Sequence, residues 1–363
     1  MRIILILFRI IVGVLFIFSG LIKANDPLGL SYKMNEFFEV LHMAWLNPYS
    51  LVFSVLMNAF EIIAGIAVLL GYGMRVFSFL LLLLILFFTF LTGFALFSGT
   101  IKECGCFGDC IKLTATETFY KDVVLLLMIL VIFFYRKQIQ PLFKNKKLIL
   151  VLMASGIIFP FAIQWYTLNH LPIIDCLPYK VGNNIPEKMK LPPGAKPDRY
   201  ETVLIYEKDG VAKEFTMDNY PWDDSTWVFK DRKDKLVEKG DAEPAIKDFY
   251  LSDFNGGNQT DALLTADKPV YLFLSENTAK AGYGWDAKMH DLQKKAQNGE
   301  IYLYGVTASD QQSVEAFKQA HQLQFEFLQM DGVAIKTAGR SNPCLMKIEN
   351  GTITGKWHYN DIP

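Results

Sequence analysis

A chain of 363 residues that is 52% hydrophobic, with a mean hydropathy of +0.22, is too apolar for an ordinary soluble domain. Its net charge of −1 points to no class of partner. Nothing in it points to nucleic acid, and it holds no phosphate-cradling glycine loop, no metalloprotease helix and no defensible Ser/His/Asp order.

The apolar excess lies before residue 170. Five windows, 3–22, 51–70, 76–97, 119–135 and 148–168, read as membrane spans. Each is roughly 17–22 residues, enough for a hydrocarbon core about 30 Å thick at 1.5 Å per residue. We expect the first to be retained rather than cleaved. It is longer than a usual signal-peptide core and runs into Phe18-Ser19-Gly20-Leu21-Ile22-Lys23 without a small-x-small site.

Arg9 and Glu61 are the charges placed deep within the spans. Counted from the cytoplasmic boundary they lie roughly 9 Å and 13 Å deep, so an Arg9–Glu61 ion pair within the bundle is expected. It serves either structural neutralisation or a quinone or proton site. Lys23, Asp26, Lys121 and Asp122 fall at the outer boundary as an interfacial charge cluster. Between the first two spans, 35–46, with His42 and Trp45, suits an amphipathic helix on the outer surface.

Between the third and fourth spans, Cys104-Gly105-Cys106-Phe107-Gly108-Asp109-Cys110 gathers three of the five cysteines into seven residues. Thiols this close form a disulfide, exchange one, or bind a metal. Cys104 and Cys106 can join only through a tight turn, which Gly105 permits, and a small strained ring is easily reduced. Cys110 is then in reach as a resolving partner. The plain reading is a permanent staple. A zinc site completed by Asp109 or Cys176 is disfavoured by an oxidising exterior, and no metal is assigned.

The sidedness follows from 136–147, which carries five cations and no acid and should be cytoplasmic. That places the N-terminus inside, and the cysteine loop and everything after residue 169 outside. Cys176 then shares a membrane face with the loop. It is either a disulfide partner of Cys110, tying the root of the soluble part to the membrane core, or a redox relay.

Residues 170–240 read as a proline-rich linker and a small β unit, with a hairpin over 202–215 and a charged stretch at 230–239 closing it. From 241 to 363 strand and helix alternate: strands at 270–274, 301–306 and 325–328, helices at 285–296 and 313–322, then a hairpin opened by Pro343. This order resembles the thioredoxin fold, with Pro343 where that fold keeps its cis-proline. The place for Cys-x-x-Cys reads Ser275-Glu276-Asn277-Thr278-Ala279-Lys280-Ala281-Gly282 and holds no cysteine. Cys344, next to Pro343, reads as a small buried hydrophobe.

Arg9 with Val12-Gly13, Phe16 with Ser19-Gly20 and Lys23, Glu61 with Ala64-Gly65, and the loop Cys104-Gly105-Cys106-Phe107-Gly108 resemble the DoxX-like superfamily. Within it they resemble the MauE-type redox-associated membrane proteins, over roughly residues 1–140. The chain is similar to a bacterial group that adds a fifth span and a degenerate thioredoxin-like domain.

The expected architecture is a membrane α-helical bundle of five predicted transmembrane helices plus an extracytoplasmic α/β thioredoxin-like domain. It divides into a four-helix membrane domain (1–140), a fifth transmembrane helix (141–169), a linker and small β unit (170–240) and a domain lacking Cys-x-x-Cys (241–363). The resemblance implies a bacterial inner-membrane protein that assists periplasmic disulfide formation or electron transfer. Cys104, Cys106 and Cys110 would be the redox thiols, with Cys176 as partner. Besides membrane lipid, the reading admits a quinone, requires no cofactor, and calls for an extracytoplasmic client or redox partner. The alternative is a non-enzymatic scaffold or assembly factor with structural disulfides and a docking domain.

Overall fold

The computed structural model describes residues 2–99, 105, 107–111, 113–196, 199–208, 210–217, 219–238, 240 and 243–363. Cys104 and Cys106 lie outside the described residues. The membrane part runs α1 (Arg2–Asn25), α2 (Pro27–Val40), a 3-10 turn (Ala44–Tyr49), α3 (Ser50–Leu70), α4 (Met74–Ser98), α5 (Ala115–Phe134) and α6 (Lys146–Asn169). Among the described residues, α1, α3 with its preceding turn, α4 and α6 are the four helices long and apolar enough to cross a membrane. The expected fourth span is α5, a 20-residue helix that packs on α4 and α1. It differs in carrying Glu117, Lys121 and Asp122 in its first two turns, behind a capping box in which Thr114 and Glu117 satisfy each other's backbone N–H groups.

Two glycines bring α1 and α3 together. A Cβ on Gly65 would stand 2.8 Å from the Gly13 carbonyl oxygen, and one on Gly13 2.4 Å from Leu69 Cγ. A Cβ on Gly20 would stand 2.6 Å from Ile62 Cγ1 and 3.0 Å from the Asn58 carbonyl oxygen. Small residues let the backbones touch where lipid offers no hydrophobic drive to associate. They also fix the antiparallel register: residue 13 of α1 lies beside 65 of α3, and residue 20 beside 58–62.

Helix α2 begins earlier than expected, because Asp26 caps it, accepting from Gly29 N at 2.9 Å, and Pro27 fills its first position. Trp45 is well exposed in the turn beyond it.

The C-terminal part continues with α7 (Ile185–Lys188), β1 (Arg199–Lys208), β2 (Val211–Thr216), β3 (Val228–Glu238) and α8 (Thr260–Leu264). Then follow β4 (Val270–Ser275), α9 (Asp286–Gln297), β5 (Tyr302–Thr307), α10 (Gln311–His321), β6 (Phe327–Gln329), α11 (Gly332–Gly339), β7 (Cys344–Glu349) and β8 (Thr352–His358). The main sheet has the order β6-β5-β4-β7-β8, parallel across β6, β5 and β4 and antiparallel across β7 and β8. The Asn342–Pro343 peptide is cis, as expected.

Period-2 alternation divides the core between the two faces of this sheet. Val270, Leu272 and Leu274 join Phe249, Leu251, Ile335 and Met346 on one side; Phe273 joins Trp285, Met289, Phe317 and Leu345 on the other. Helix α11 was not anticipated. Asp331 caps it through Val333 N and Ala334 N, at 2.9 and 3.0 Å.

Two expectations for 170–240 are corrected. The segment before the small sheet is packed rather than a free linker: Tyr179 and Ile185 are buried, Asn184 bridges Thr352, and Ile185 N donates to the Gly351 carbonyl at 2.8 Å. The charged stretch is strand β3, which completes an antiparallel sheet of order β2-β1-β3. An exposed strand tolerates alternating charge, so its polarity hid it. The chain leaves the main domain after Lys188 and returns at Ile246, where Ile246 N donates to the Lys188 carbonyl at 3.0 Å.

Candidate thiol–disulfide site

Cys110 and Cys176 form a disulfide, with Cα atoms 4.8 Å apart. It joins the loop between α4 and α5 to the segment just beyond α6, the pairing that was one of the two roles open to Cys176. Cys110 is exposed and Cys176 half-buried. The same end of the bundle is stitched to the start of the soluble part. Asn25 accepts from Ile174 N at 3.0 Å and donates to the Ile174 carbonyl at 2.8 Å; Thr167 donates to the Ala24 carbonyl at 3.2 Å.

The soluble domain reaches this disulfide with two buried cations. Arg340, 5% exposed, donates through Nε to Asp26 Oδ2 at 2.7 Å and through Nη2 to Asp109, the residue before Cys110. Its guanidinium lies over the Tyr32 ring, 5.4 Å from the centroid. Burial disfavours the Arg340 charge, but the Asp26 and Asp109 carboxylates outweigh it and hold the pKa above the ordinary arginine value. Burial also pushes the Tyr32 phenol up to about 12. Lys356, 3% exposed, pairs with Asp175, the residue before Cys176, and donates to the Tyr179 carbonyl at 3.1 Å.

Cys344 is buried and free, and burial pushes its thiol up to about 12, as suits a packing residue. At the position of the absent Cys-x-x-Cys, Ser275 Oγ donates to Asn342 Oδ1 at 2.8 Å, and Asn342 Nδ2 donates to the Asn277 carbonyl at 2.8 Å. These bonds tie the cis-proline loop to the end of β4.

Beneath the loop the bundle holds a small cavity with both charged and apolar walls. Ser19, Lys23, Glu61, Lys121 and Asp122 line it, walled by Phe16, Phe88, Leu125 and the loop's own Phe107. Lys23 donates to Glu61 Oε1, and Ser19 Oγ donates to Glu61 Oε2 at 2.9 Å. Lys121 pairs with Asp122 Oδ1 at 2.8 Å and lies over the Phe107 ring, 4.9 Å from its centroid. Asp122 Oδ2 is buried with no hydrogen-bond partner among the described residues.

The expected Arg9–Glu61 pair is therefore corrected: Glu61 is taken by Lys23. The α1–α3 register sets Arg9 beside the end of α3, where it donates to the carbonyls of Val68 at 3.1 Å, Leu69 at 2.9 Å and Gln140 at 3.3 Å. Val68 and Leu69 lie in the last turn of α3, whose carbonyls have no i+4 partner within the helix, and the left-handed Gly71 ends the helix there. The expected boundary cluster also divides. Lys23 turns inward to Glu61, Asp26 goes to Arg340, and Lys121 pairs with Asp122.

A quinone site built on Arg9 and Glu61 does not fit this arrangement. The two side chains serve different ends of the bundle, and the cavity that Glu61 lines is about 20 Å³, room for a water molecule or two and not for a quinone ring.

These features define a multi-pass membrane protein whose helical bundle is covalently linked, through Cys110–Cys176, to a β-rich domain. Residues 1–135 match the family model for the methylamine utilisation protein MauE, which supports a MauE-type membrane part. Residues 200–239, which hold most of the small sheet, match a domain of unknown function, DUF8463. No curated protein and no solved structure matches the chain.

Proposed function

We propose that this protein is a redox-associated accessory protein of the bacterial inner membrane, assisting extracytoplasmic disulfide formation or electron transfer through Cys104, Cys106, Cys110 and Cys176. The reading takes the N-terminus as cytoplasmic, α5 as a fifth span, and the loop and soluble domain as periplasmic, on the charge of 136–147. It takes the soluble domain as thioredoxin-like, on its strand order and cis-proline, and the bundle as DoxX-like.

The observation that carries it is the Cys110–Cys176 disulfide, exposed at Cys110 and neighboured in sequence by two further cysteines. A client thiolate attacks Cys110 Sγ, the disulfide breaks, and Cys176 leaves as a thiolate and takes a proton. A second client thiol then displaces Cys110. The client ends oxidised by two electrons and the pair reduced. A Cys104–Cys106 disulfide on the same loop would re-oxidise the pair by exchange, and the two electrons, now on the Cys104 and Cys106 thiols, would pass to the disulfide of an oxidised extracytoplasmic redox partner. The domain lacks its own Cys-x-x-Cys, so the chemistry falls to these thiols.

Alkylation trapping in growing cells tests this reading: a fraction of the loop thiols is expected reduced in steady state, rising when the client is overproduced. A loop that stays wholly oxidised through client turnover and reductant challenge overturns it. That result would favour the scaffold reading, which rests on the same disulfide acting as a staple between bundle and domain.

A further inference from the structure

The two half-cystines share a local sequence. Cys110 follows Asp109 and Cys176 follows Asp175, and each aspartate is held by a different cation of the soluble domain: Asp109 by Arg340, Asp175 by Lys356. The cations come from separate elements, Arg340 from the turn after α11 and Lys356 from the middle of β8. Both are nearly fully buried, and both hold a second partner on the protein, Asp26 for Arg340 and the Tyr179 carbonyl for Lys356. Arg340 also adopts a left-handed backbone, φ +52°, and Arg340 N donates to the Lys336 carbonyl at 3.3 Å.

We infer that the C-terminal domain is a two-point clamp that grips the two Asp-Cys dipeptides and holds Cys110 and Cys176 in register. Arg340 and Lys356 are its positioning residues. The inference rests on the disulfide itself, whether or not it turns over in the cell.

The physical consequence is a linkage. When a dithiol attacks Cys110 Sγ, the disulfide breaks and Cys176 leaves as a thiolate and is protonated; the second thiol of the reductant then attacks the first, releasing Cys110 as a thiolate that also takes a proton. With both dipeptides still clamped, the two cysteines remain side by side and reclose readily, because their effective concentration stays high. With either grip removed, the dipeptide it held is freer to move and reclosure is less favoured. The clamp therefore favours the oxidised pair, and by reciprocity the intact disulfide favours the docked domain.

The test uses the full chain in detergent micelles with Cys104→Ser and Cys106→Ser, so that Cys110, Cys176 and Cys344 are the cysteines left. It is equilibrated with graded ratios of reduced to oxidised dithiothreitol and tagged with a mass-shifting maleimide. Asp109→Asn and Asp175→Asn remove the gripped charges without changing shape. Each is expected to become half-reduced at a ratio about tenfold lower than the parent, roughly 30 mV for a two-electron couple. Asp224→Asn, whose carboxylate pairs with Lys208 on the small sheet, is expected to leave the midpoint unchanged.

Cys344 monitors folding, since its buried thiol stays untagged in an intact domain. Arg340→Lys, which keeps the charge but loses the fork that spans Asp26 and Asp109, is expected to fall between Asp109→Asn and the parent. Midpoints of Asp109→Asn and Asp175→Asn within twofold of the parent, with Cys344 still protected, would overturn the clamp. If one variant exposes Cys344, the other and Arg340→Lys decide the matter on the same criterion.

Discussion

Lys23 reaches Glu61 from the far end of α1, and the two meet inside the bundle with side chains 3% and 1% exposed. Ser19, one turn back on α1, holds the other carboxylate oxygen at 2.9 Å. Removing one member of a buried ion pair strands the other charge and costs about 3–5 kcal/mol. Glu61→Ala and Lys23→Met are each expected to lower the thermal midpoint in detergent strongly. The double variant Lys23→Met/Glu61→Leu is expected to recover a large part of that loss. A double variant as unstable as the sum of the singles would contradict a closed pair.

The crossing of α1 and α3 depends on two bare backbones. Gly65→Ala places a methyl 2.8 Å from the Gly13 carbonyl oxygen, and a carbonyl cannot swing aside as a side chain can. Overpacking of this kind costs about 1–3 kcal/mol. Gly156→Ala, on α6, meets only the tip of Ile66, so the smaller loss belongs there. Parallel melts of the two variants check the order.

The pH dependence of the soluble domain should carry the mark of His358. Burial lowers its pKa from 6.5 to about 4, Asp361 opposes that shift, and nearby His170 adds to it. A base with a depressed folded pKa takes its proton more readily unfolded. Nothing is lost above pH 6.5; stability then falls as pH drops toward 4, below which the loss is complete. Limited proteolysis at pH 7, 5.5 and 4 is expected to show progressively faster cleavage. His358→Gln should flatten that trend, and an unchanged trend would place its cause elsewhere.

Loss of the Cys110–Cys176 bond frees a closed loop with a sequence separation of 66 residues. Chain-entropy arguments give such a closure up to about 4 kcal/mol, less where the flanking helices stay formed in the membrane. Cys110→Ser/Cys176→Ser is expected to melt earlier and to shed its soluble domain to protease sooner than the parent. Equal protease lifetimes would show that the ion pairs hold the domain unaided.

Much of this was legible along the chain, because it depends on neighbours. Four of the five expected spans followed from apolar length, the strand and helix order from alternation, and the Cys110–Cys176 bond was one of the readings open to Cys176. The Arg9–Glu61 expectation failed because depth along a helix is not register between helices. The glycines that set the register lay in the same sequence, at Gly13 and Gly65, but nothing local says which pair touches. Lys23 looked like a boundary charge because a lysine's long stem allows its head to turn either outward or inward. Arg340 carried no signal at all. Its partners lie 231 and 314 residues away in the chain, and only the folded domain brings them together.

The hydrogen bond from Ile246 N to the Lys188 carbonyl closes the neck of the excursion that carries the small sheet. Everything beyond that neck is a side branch: among the described residues no strand of the main sheet lies within it, and its removal would leave the path from the bundle into β4 uninterrupted. A chain built this way can exchange the branch as a cassette, varying what it presents outward while the disulfide, the clamp and the five-stranded sheet stay as they are.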